Sequence, residues 1–466
     1  MKRLLFISFL IVPIIGTIAQ TKSSDILSFD NFMEIVRTYH PIAKQADLQI
    51  AKGKAYLLKS KGGFDPILQG DASQKYFNGS KYYSVLDANL QIPTWFGIQL
   101  QSGYQNANGN RLNPQNYTPD DGLWYAGISV PLGKGLFIDQ RRADLKQAKI
   151  FNESSVVEQR RILNELIYEA GKAYYDWFKS YNKLLVYREA LELAETRYKA
   201  IQQSVLFGDK PAFDTLESGI QIQTRNFQVE QALLELQNSR ELLSVYLWAE
   251  SYFPLELNLN SVPTSRLTMI PSPFDTNYAQ QIDSLKAQHP EIMGYQYKID
   301  FKRVEYRLNK ENLKPKLDLN YNALSEPIAE NPFTNYSINN YNWGASLAFP
   351  LFVRKARGEL KLTDIQLQEM QNNLSFKTEL VEYKANMAIN SWKTTYKQIL
   401  IFNRTVEDYR KLVFGEQTLF NNGESSLFLV NYRETSYIDA QTKLIDALAE
   451  NLKSKLNLEF ALGILK

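Results

Sequence analysis

Cysteine is absent from the 466-residue chain, which excludes disulfides, thiolate metal sites, a cysteine nucleophile and a lipidated N-terminal cysteine. Histidine is nearly as scarce: the two present leave little for metal binding or acid–base chemistry. Charge of one sign is missing too. Lys plus Arg number 53 against 50 Asp plus Glu, a net charge of +3, without the basic excess that binding to nucleic acid demands. Beyond the N-terminus no stretch free of charges reaches the ~20 apolar residues of a spanning helix. A mature chain that crosses a membrane must therefore do so as a β-barrel. With 44% apolar and 22% charged residues, the composition is that of a chain that folds.

The first residues read as an export signal. Lys2 and Arg3 precede an apolar stretch from Leu4 to Ile15, interrupted by Pro13, and Thr17-Ile18-Ala19 offers small residues for cleavage before Gln20.

The rest of the chain repeats itself. His40-Pro41 recurs as His289-Pro290 and Pro66 recurs as Pro315, both 249 positions on. Trp124 with Ser129-Val130-Pro131-Leu132 corresponds to Trp343 with Ala348-Phe349-Pro350-Leu351 at an offset of 219, so the first copy holds 30 extra residues between these landmarks. Ala173, Trp177 and Tyr181 match Ala388, Trp392 and Tyr396, and Gly208-Asp209 matches Gly423-Glu424, all at an offset of 215. A fixed offset marks one architectural unit used twice. Each copy reads as a helix of about 30 residues, a β segment, a very long helix, a glycine turn and a returning helix. The boundaries are a signal peptide over 1–19, a first repeat over 20–249, a linker over 250–274 and a second repeat over 275–466.

Proline is missing between Pro131 and Pro211, and Gly171 is the only glycine from Asp139 to Phe207. Nothing there forces a break, and the segment predicts a helical rod of about 100 Å. Leu163, Ala170, Trp177, Leu184, Leu191, Tyr198 and Val205 fall at strict steps of seven. The interleaved positions Leu166, Ala173, Tyr187, Ala194 and Ile201 are apolar, with Ser180 the exception. This is a coiled-coil seam. The second copy keeps the frame through Ala385, Trp392, Ile399, Val406, Val413 and Phe420, in a helix from about Lys355 to Phe420. Returning arms at about Phe213 to Ala249 and Leu427 to Leu462 carry Leu216, Ile220, Phe227 and Leu234, and Leu448, Leu452 and Leu456, at helical spacing. They are expected to cover the seams.

The β segments alternate. Leu317, Leu319 and Tyr321 share one face against Asp318, Asn320 and Asn322, and Tyr341, Trp343, Ala345, Leu347 and Phe349 do so against Asn342, Gly344, Ser346 and Ala348. One apolar and one polar face fit a wall with lipid on one side and water on the other. Ala323 to Asn340, rich in Asn, Pro and Ser, reads as an exposed loop. Leu68 to Tyr76 and Leu123 to Val130 are the first-copy strands; the insertion holds two more alternating runs, Ser84 to Ile92 and Phe96 to Tyr104. Such hairpins are too few for a barrel of at least eight strands. Three copies of four strands would close a twelve-stranded barrel, and three of six an eighteen-stranded one.

The duplication, the His-Pro starts, the strand-ending Pro131 and Pro350 and the tip segments starting at Gly208 and Gly423 together resemble the outer-membrane efflux proteins of the TolC type, particularly the Bacteroidetes-type members. The resemblance covers essentially the whole mature chain. It implies a mainly α fold with β: long coiled-coil hairpins forming a periplasmic tunnel, and a β-barrel in the outer membrane completed by trimerisation. It further implies a passive, non-enzymatic exit duct of a tripartite efflux or type I secretion system, without cofactor, whose partners are a periplasmic adaptor and an inner-membrane transporter. Gly208, Asp209, Gly423 and Glu424 would then lie at the tips, where an adaptor docks. Asp214 is a candidate charged ring, or more plainly a carboxylate favoured by the helix dipole; Phe428 and Tyr432 are candidates for constricting the bore.

Two other readings compete with this one. A periplasmic or surface coiled-coil scaffold with a small β domain shares the heptads, and a carbohydrate-acting enzyme would need a polar pocket of convergent titratable groups. His40 and His289 read as structural, Asp120-Asp121 as a solvated turn, and Trp177 and Trp392 as knobs in the seam.

Overall fold

The computed structural model describes residues 25–265, 271, 273–326 and 337–465. The signal peptide and its cleavage site, part of the 250–274 linker and the middle of the 323–340 loop lie outside the described residues. The first copy runs β1 (Asp25–Leu27), α1 (Phe29–Tyr39), α2 (Pro41–Lys61), β2 (Ile67–Phe77), β3 (Ser80–Pro93), β4 (Gln99–Asn108), β5 (Leu123–Pro131), α3 (Gln140–Leu206) and α4 (Ala212–Ser244). Three short strands follow, β6 (Trp248–Ala249), β7 (Phe253–Pro254) and β8 (Ser261–Pro263). The second copy is α5 (Thr276–Ala287), α6 (Pro290–Glu311), β9 (Lys316–Ser325), β10 (Tyr341–Ala348), α7 (Arg354–Asn421) and α8 (Leu427–Ala461).

The unbroken helices are as long as the missing proline implies: 67 residues in α3 and 68 in α7. The helix expected to lead each copy is shorter than about 30 residues, with 21 in α2 and 22 in α6. Its start is set by the His-Pro pair. Proline occupies the first helical position, where no backbone N–H is needed, and histidine is the cap: His40 Nδ1 accepts from the Ile42 N–H at 3.2 Å, and His289 Nδ1 from the Glu291 N–H at 3.2 Å. Both histidines are therefore structural.

The heptad seams form as their spacing requires. Trp177 packs with Leu166, Ala170, Ala173 and Leu184 in a core reached by Phe32, Met33 and Leu243. Trp392 occupies the equivalent place among Ala385, Ala388, Ile389, Leu458 and Leu462. Gly171 lets α3 and α8 approach closely, since a Cβ there would lie 2.4 Å from Leu456 Cδ2.

The returning arms behave differently from each other. In α8, Leu448 and Leu456 are buried and Leu452 packs against the core, as expected. In α4 the expectation fails: Leu216 and Phe227 are 69% and 70% exposed, and Ile220 and Leu234 are exposed with them. The buried face of α4 instead carries Ser218, Arg225, Val229, Ala232, Leu236 and Leu243, of which Val229, Ala232, Leu236 and Leu243 join the core shared with α3. Both faces of α4 are amphipathic at helical spacing, and the protomer uses the more polar one.

The insertion joins the sheet, which contains six antiparallel strands in the order β10-β9-β5-β4-β3-β2. It curls into a half-barrel. The run that begins at Phe96 enters its strand three residues later, because the Ile98 carbonyl accepts the Thr94 N–H at 3.0 Å and Gly97 sits at φ +98 to close the turn between β3 and β4.

Burial holds the His289 imidazole well below its ordinary value of 6.5, to about 4. A proton then binds the unfolded chain more readily than the folded one. The neutral side chain's contribution is complete above pH 6.5 and is lost as pH falls towards about 4, a loss of about 3 kcal/mol. Denaturant titrations across this window should show the decline in the wild-type chain and a flatter profile in His289→Asn, which keeps a capping acceptor but cannot titrate. Equal slopes would reject the assignment.

Candidate functional site

Two features carry the chemistry: the sheet and the hairpin tips. Residues paired across an antiparallel sheet share a face, so the register sorts every side chain. Leu90 lies beside Leu68 and Ser102, and Ile92 beside Leu100. Leu100 lies beside Ile128, Ile128 beside Tyr321, and Tyr321 beside Trp343. The same face thus carries apolar or aromatic side chains in all six strands, interrupted by Ser102, Asn106 and the Gln74–Ser84 pair. The opposite face pairs Gln69 with Asn89, Gln91 with Gln101, Ser129 with Asn320, and Asn322 with Asn342. Amides tie it together: Gln101 Nε2 donates to Asn322 Oδ1 at 2.6 Å, and Gln99 Nε2 to Gln91 Oε1 at 3.0 Å. The inserted strands follow the rule of the others, which makes them part of one wall. Asp120 and Asp121 are placed in a turn outside it, where the Tyr104 hydroxyl donates to the Asp121 carbonyl at 2.8 Å.

The wall is incomplete. β2 and β10 are its edges, each with one side unpaired, and an open edge leaves a row of backbone donors and acceptors to be satisfied. A half-barrel of this kind implies assembly with other copies.

At the other end of the molecule the two tips are built alike. The Asp209 N–H reaches the Ser204 carbonyl at 2.9 Å and the Gly208 N–H the Val205 carbonyl at 3.1 Å. In the second copy the Glu424 N–H reaches Leu419 at 2.9 Å and the Gly423 N–H reaches Phe420 at 3.2 Å. These are paired Schellman closures, which need a left-handed residue; Gly208 and Gly423 supply it at φ +81 and +78. A groove of about 690 Å³ between the tips is lined by Arg197, Asp209, Lys210, Gln417, Asn422 and Gly423. Asp209 and Gly423, singled out separately in the sequence, thus share one surface, and Lys210 Nζ stacks 3.7 Å over the Phe420 ring to join the two hairpins.

The candidate constriction residues divide. Phe428 and Tyr432, one turn apart on α8, are 65% and 58% exposed. Asp214 is only 8% exposed, in the first turn of α4; there the helix N-terminus favours a carboxylate.

A buried polar network near the tips was not anticipated. The Arg197 guanidinium holds the Glu434 carboxylate with both terminal nitrogens, one contact measuring 2.6 Å, and Gln417 Nε2 donates to Glu434 at 3.1 Å. Asn431 Nδ2 donates to Glu217 at 3.0 Å, and Arg225 donates to Thr435 Oγ1 at 2.9 Å. The network ties α3 and α4 to α7 and α8. Its signal in the sequence is Glu434 itself, four residues from both Val430 and Ile438 on the buried stripe of α8.

No family model and no curated protein sequence matches the chain. Solved structures do. The Campylobacter jejuni CmeC outer membrane channel is 13% identical, with a TM-score of 0.65 over 94% of this chain and 86% of that one. The outer membrane protein VceC from Vibrio cholerae is 12% identical, with a TM-score of 0.65 over 93% of this chain and 96% of that one. The open state of the Neisseria gonorrhoeae MtrE outer membrane channel is 13% identical, with a TM-score of 0.64 over 94% and 89%.

Removing one partner of a buried ion pair costs about 3–5 kcal/mol, because the other charge is stranded. Glu434→Ala is expected to lower hydrogen-exchange protection over the first turns of α8 by a comparable amount, while Arg197→Met with Glu434→Leu recovers most of it. Unchanged protection in Glu434→Ala would remove the pair as a tie between hairpins. At identities this low the likeness is one of architecture: the chain has the fold of the TolC-type outer-membrane channels.

Proposed function

We propose that the protein is a homotrimeric exit duct in the outer membrane, which passively conducts solutes or polypeptide from the periplasmic side to the exterior. The observation that carries this reading is the two-faced six-stranded wall with both edges open, continuous with rods long enough to reach far from the bilayer. Lipid suits the apolar face and water the amide-lined one. Three copies pairing β2 of one with β10 of the next give eighteen strands, a size at which barrels leave an aqueous channel.

The helices support the same closure. The exposed stripe of Phe213, Leu216, Ile220, Phe227 and Leu234 on α4 finds no cover among the described residues of the protomer. A neighbouring copy's α7, which exposes Phe376, Tyr383, Ile401 and Leu412, offers a matching surface. The unmet seam of α4 is then the contact between protomers.

In this duct the tips are the narrow end. Phe428 and Tyr432 line the constriction, and the groove beside Asp209, Gly423 and Glu424 receives the hairpin of a periplasmic adaptor, which couples the duct to an inner-membrane transporter. Specificity and energy come from those partners. The Arg197–Glu434 tie keeps the two hairpins of one protomer moving as a unit.

The mature protein should elute as a trimer in detergent and give discrete conductance steps in a planar bilayer. Phe428→Ser with Tyr432→Ser should raise the unitary conductance, and Asp214→Asn, buried within the protomer, should leave it unchanged. A monomer that stays soluble without detergent and carries no current would instead support a coiled-coil scaffold.

A further inference from the structure

Four strand–helix junctions lie together at the helical end of the sheet: α2 to β2, β5 to α3, α6 to β9 and β10 to α7. Each carries two or three cations, but they are not alike. At the two interior junctions Arg141 and Arg142 pair with Asp139, Lys314 with Glu311 and Lys316 with Asp318, which leaves Lys134 and Lys310 as the exposed cations there without an ion pair among the described residues. At the two junctions that flank the open edges, Lys59 and Lys61 before β2 and Arg354, Lys355 and Arg357 after β10 are all exposed, and among the described residues none makes an ion pair with a carboxylate.

Closing the wall brings these two junctions together. Adjacent strands lie ~4.8 Å apart, so the chain that leaves β10 of one protomer emerges beside the chain that enters β2 of the next. Five unpaired cations then share one seam with two nearby carboxylates, Asp65 and Glu359. Such a cluster opposes assembly unless an anion sits in it. Its surroundings say which anion. Leu58, Leu351 and Phe352 are exposed beside the cations, and the Arg354 guanidinium lies 5.0 Å over the Phe352 ring. The seam also falls where the apolar face of the sheet ends, at the level where lipid headgroups meet water. Cations above, with apolar side chains below, match a phosphate that carries acyl chains; free phosphate has no use for the apolar part.

We propose that the seam between adjacent protomers at the base of the wall binds the headgroups of anionic phospholipids, through Arg354, Lys355 and Arg357 of one protomer and Lys59 and Lys61 of the next. The bound lipid neutralises the seam and cements the trimer. The proposal rests on the closed-wall reading above, which supplies the juxtaposition.

The test uses the full mature protein, delipidated in neutral detergent, with trimer content followed by light scattering as temperature rises. Phosphatidylglycerol should restore a more heat-resistant trimer, whereas phosphatidylcholine and inorganic phosphate at matched concentration should not. Phosphatidylglycerol should also be retained over phosphatidylcholine by roughly fivefold for each engaged cation at low salt, following the attraction of a single cation to an anionic surface. A variant with Arg354→Gln, Lys355→Gln and Arg357→Gln should form trimers that no longer depend on lipid and should lose the preference. Equal effects of the two lipids, full restoration by phosphate alone, or an unchanged lipid dependence in the variant would each overturn the proposal while leaving the duct intact. Absence of trimers and of bilayer conductance in every condition would overturn the closed wall and this site with it.

Discussion

An unpaired strand edge is the constraint on which the rest of this molecule depends. In lipid, a backbone N–H or C=O without a partner costs several kcal/mol, and no water is at hand to compensate. The six-stranded sheet ends in two such edges, at β2 and β10. Edges are often blunted by a covering helix or a bulge; here β2 has a register shift at Lys75/Tyr76, but among the described residues no element pairs with either edge or covers the apolar face behind them. The same incompleteness recurs on α4, whose apolar stripe lies unmet along the rod. Sheet and helix thus ask for the same remedy, another copy of the chain.

The duplication shows how little chemistry is needed to build each half. A histidine cap followed by proline starts the shorter helix, a tryptophan anchors the seam, and a Schellman glycine turns the tip, at matched places in both copies. The copies diverge at the start of the return arm. The first return arm starts after Pro211 and carries Asp214; the second starts with Ser426 as its cap and presents Phe428 and Tyr432.

Much of this was legible because its signals are local and periodic. The absence of proline, the steps of seven and the strict alternation of β9 and β10 each specify an element without reference to anything distant. What was not legible depends on partners far apart in sequence. Periodicity alone does not decide which of two stripes α4 turns inward, so the sequence reading places Leu216 and Phe227 on the wrong side. It could not show that Glu434 meets Arg197 across 237 positions, because a charge on a buried stripe announces a need but not its partner. Nor could a sequence offset show that the 30 inserted residues would continue the wall; that followed only from the register, which gives β3 and β4 the same two faces as their neighbours.

The insertion has one more consequence. The helical layer is built from two hairpins of nearly equal length per protomer, so around a closed trimer it approximates sixfold order. The wall cannot follow it, because the first copy contributes four strands and the second only two. In the proposed trimer, wide and narrow sectors would alternate around the mouth, with the loops between strands over the wide ones. Such an opening would have three lobes, even where the far end is nearly round.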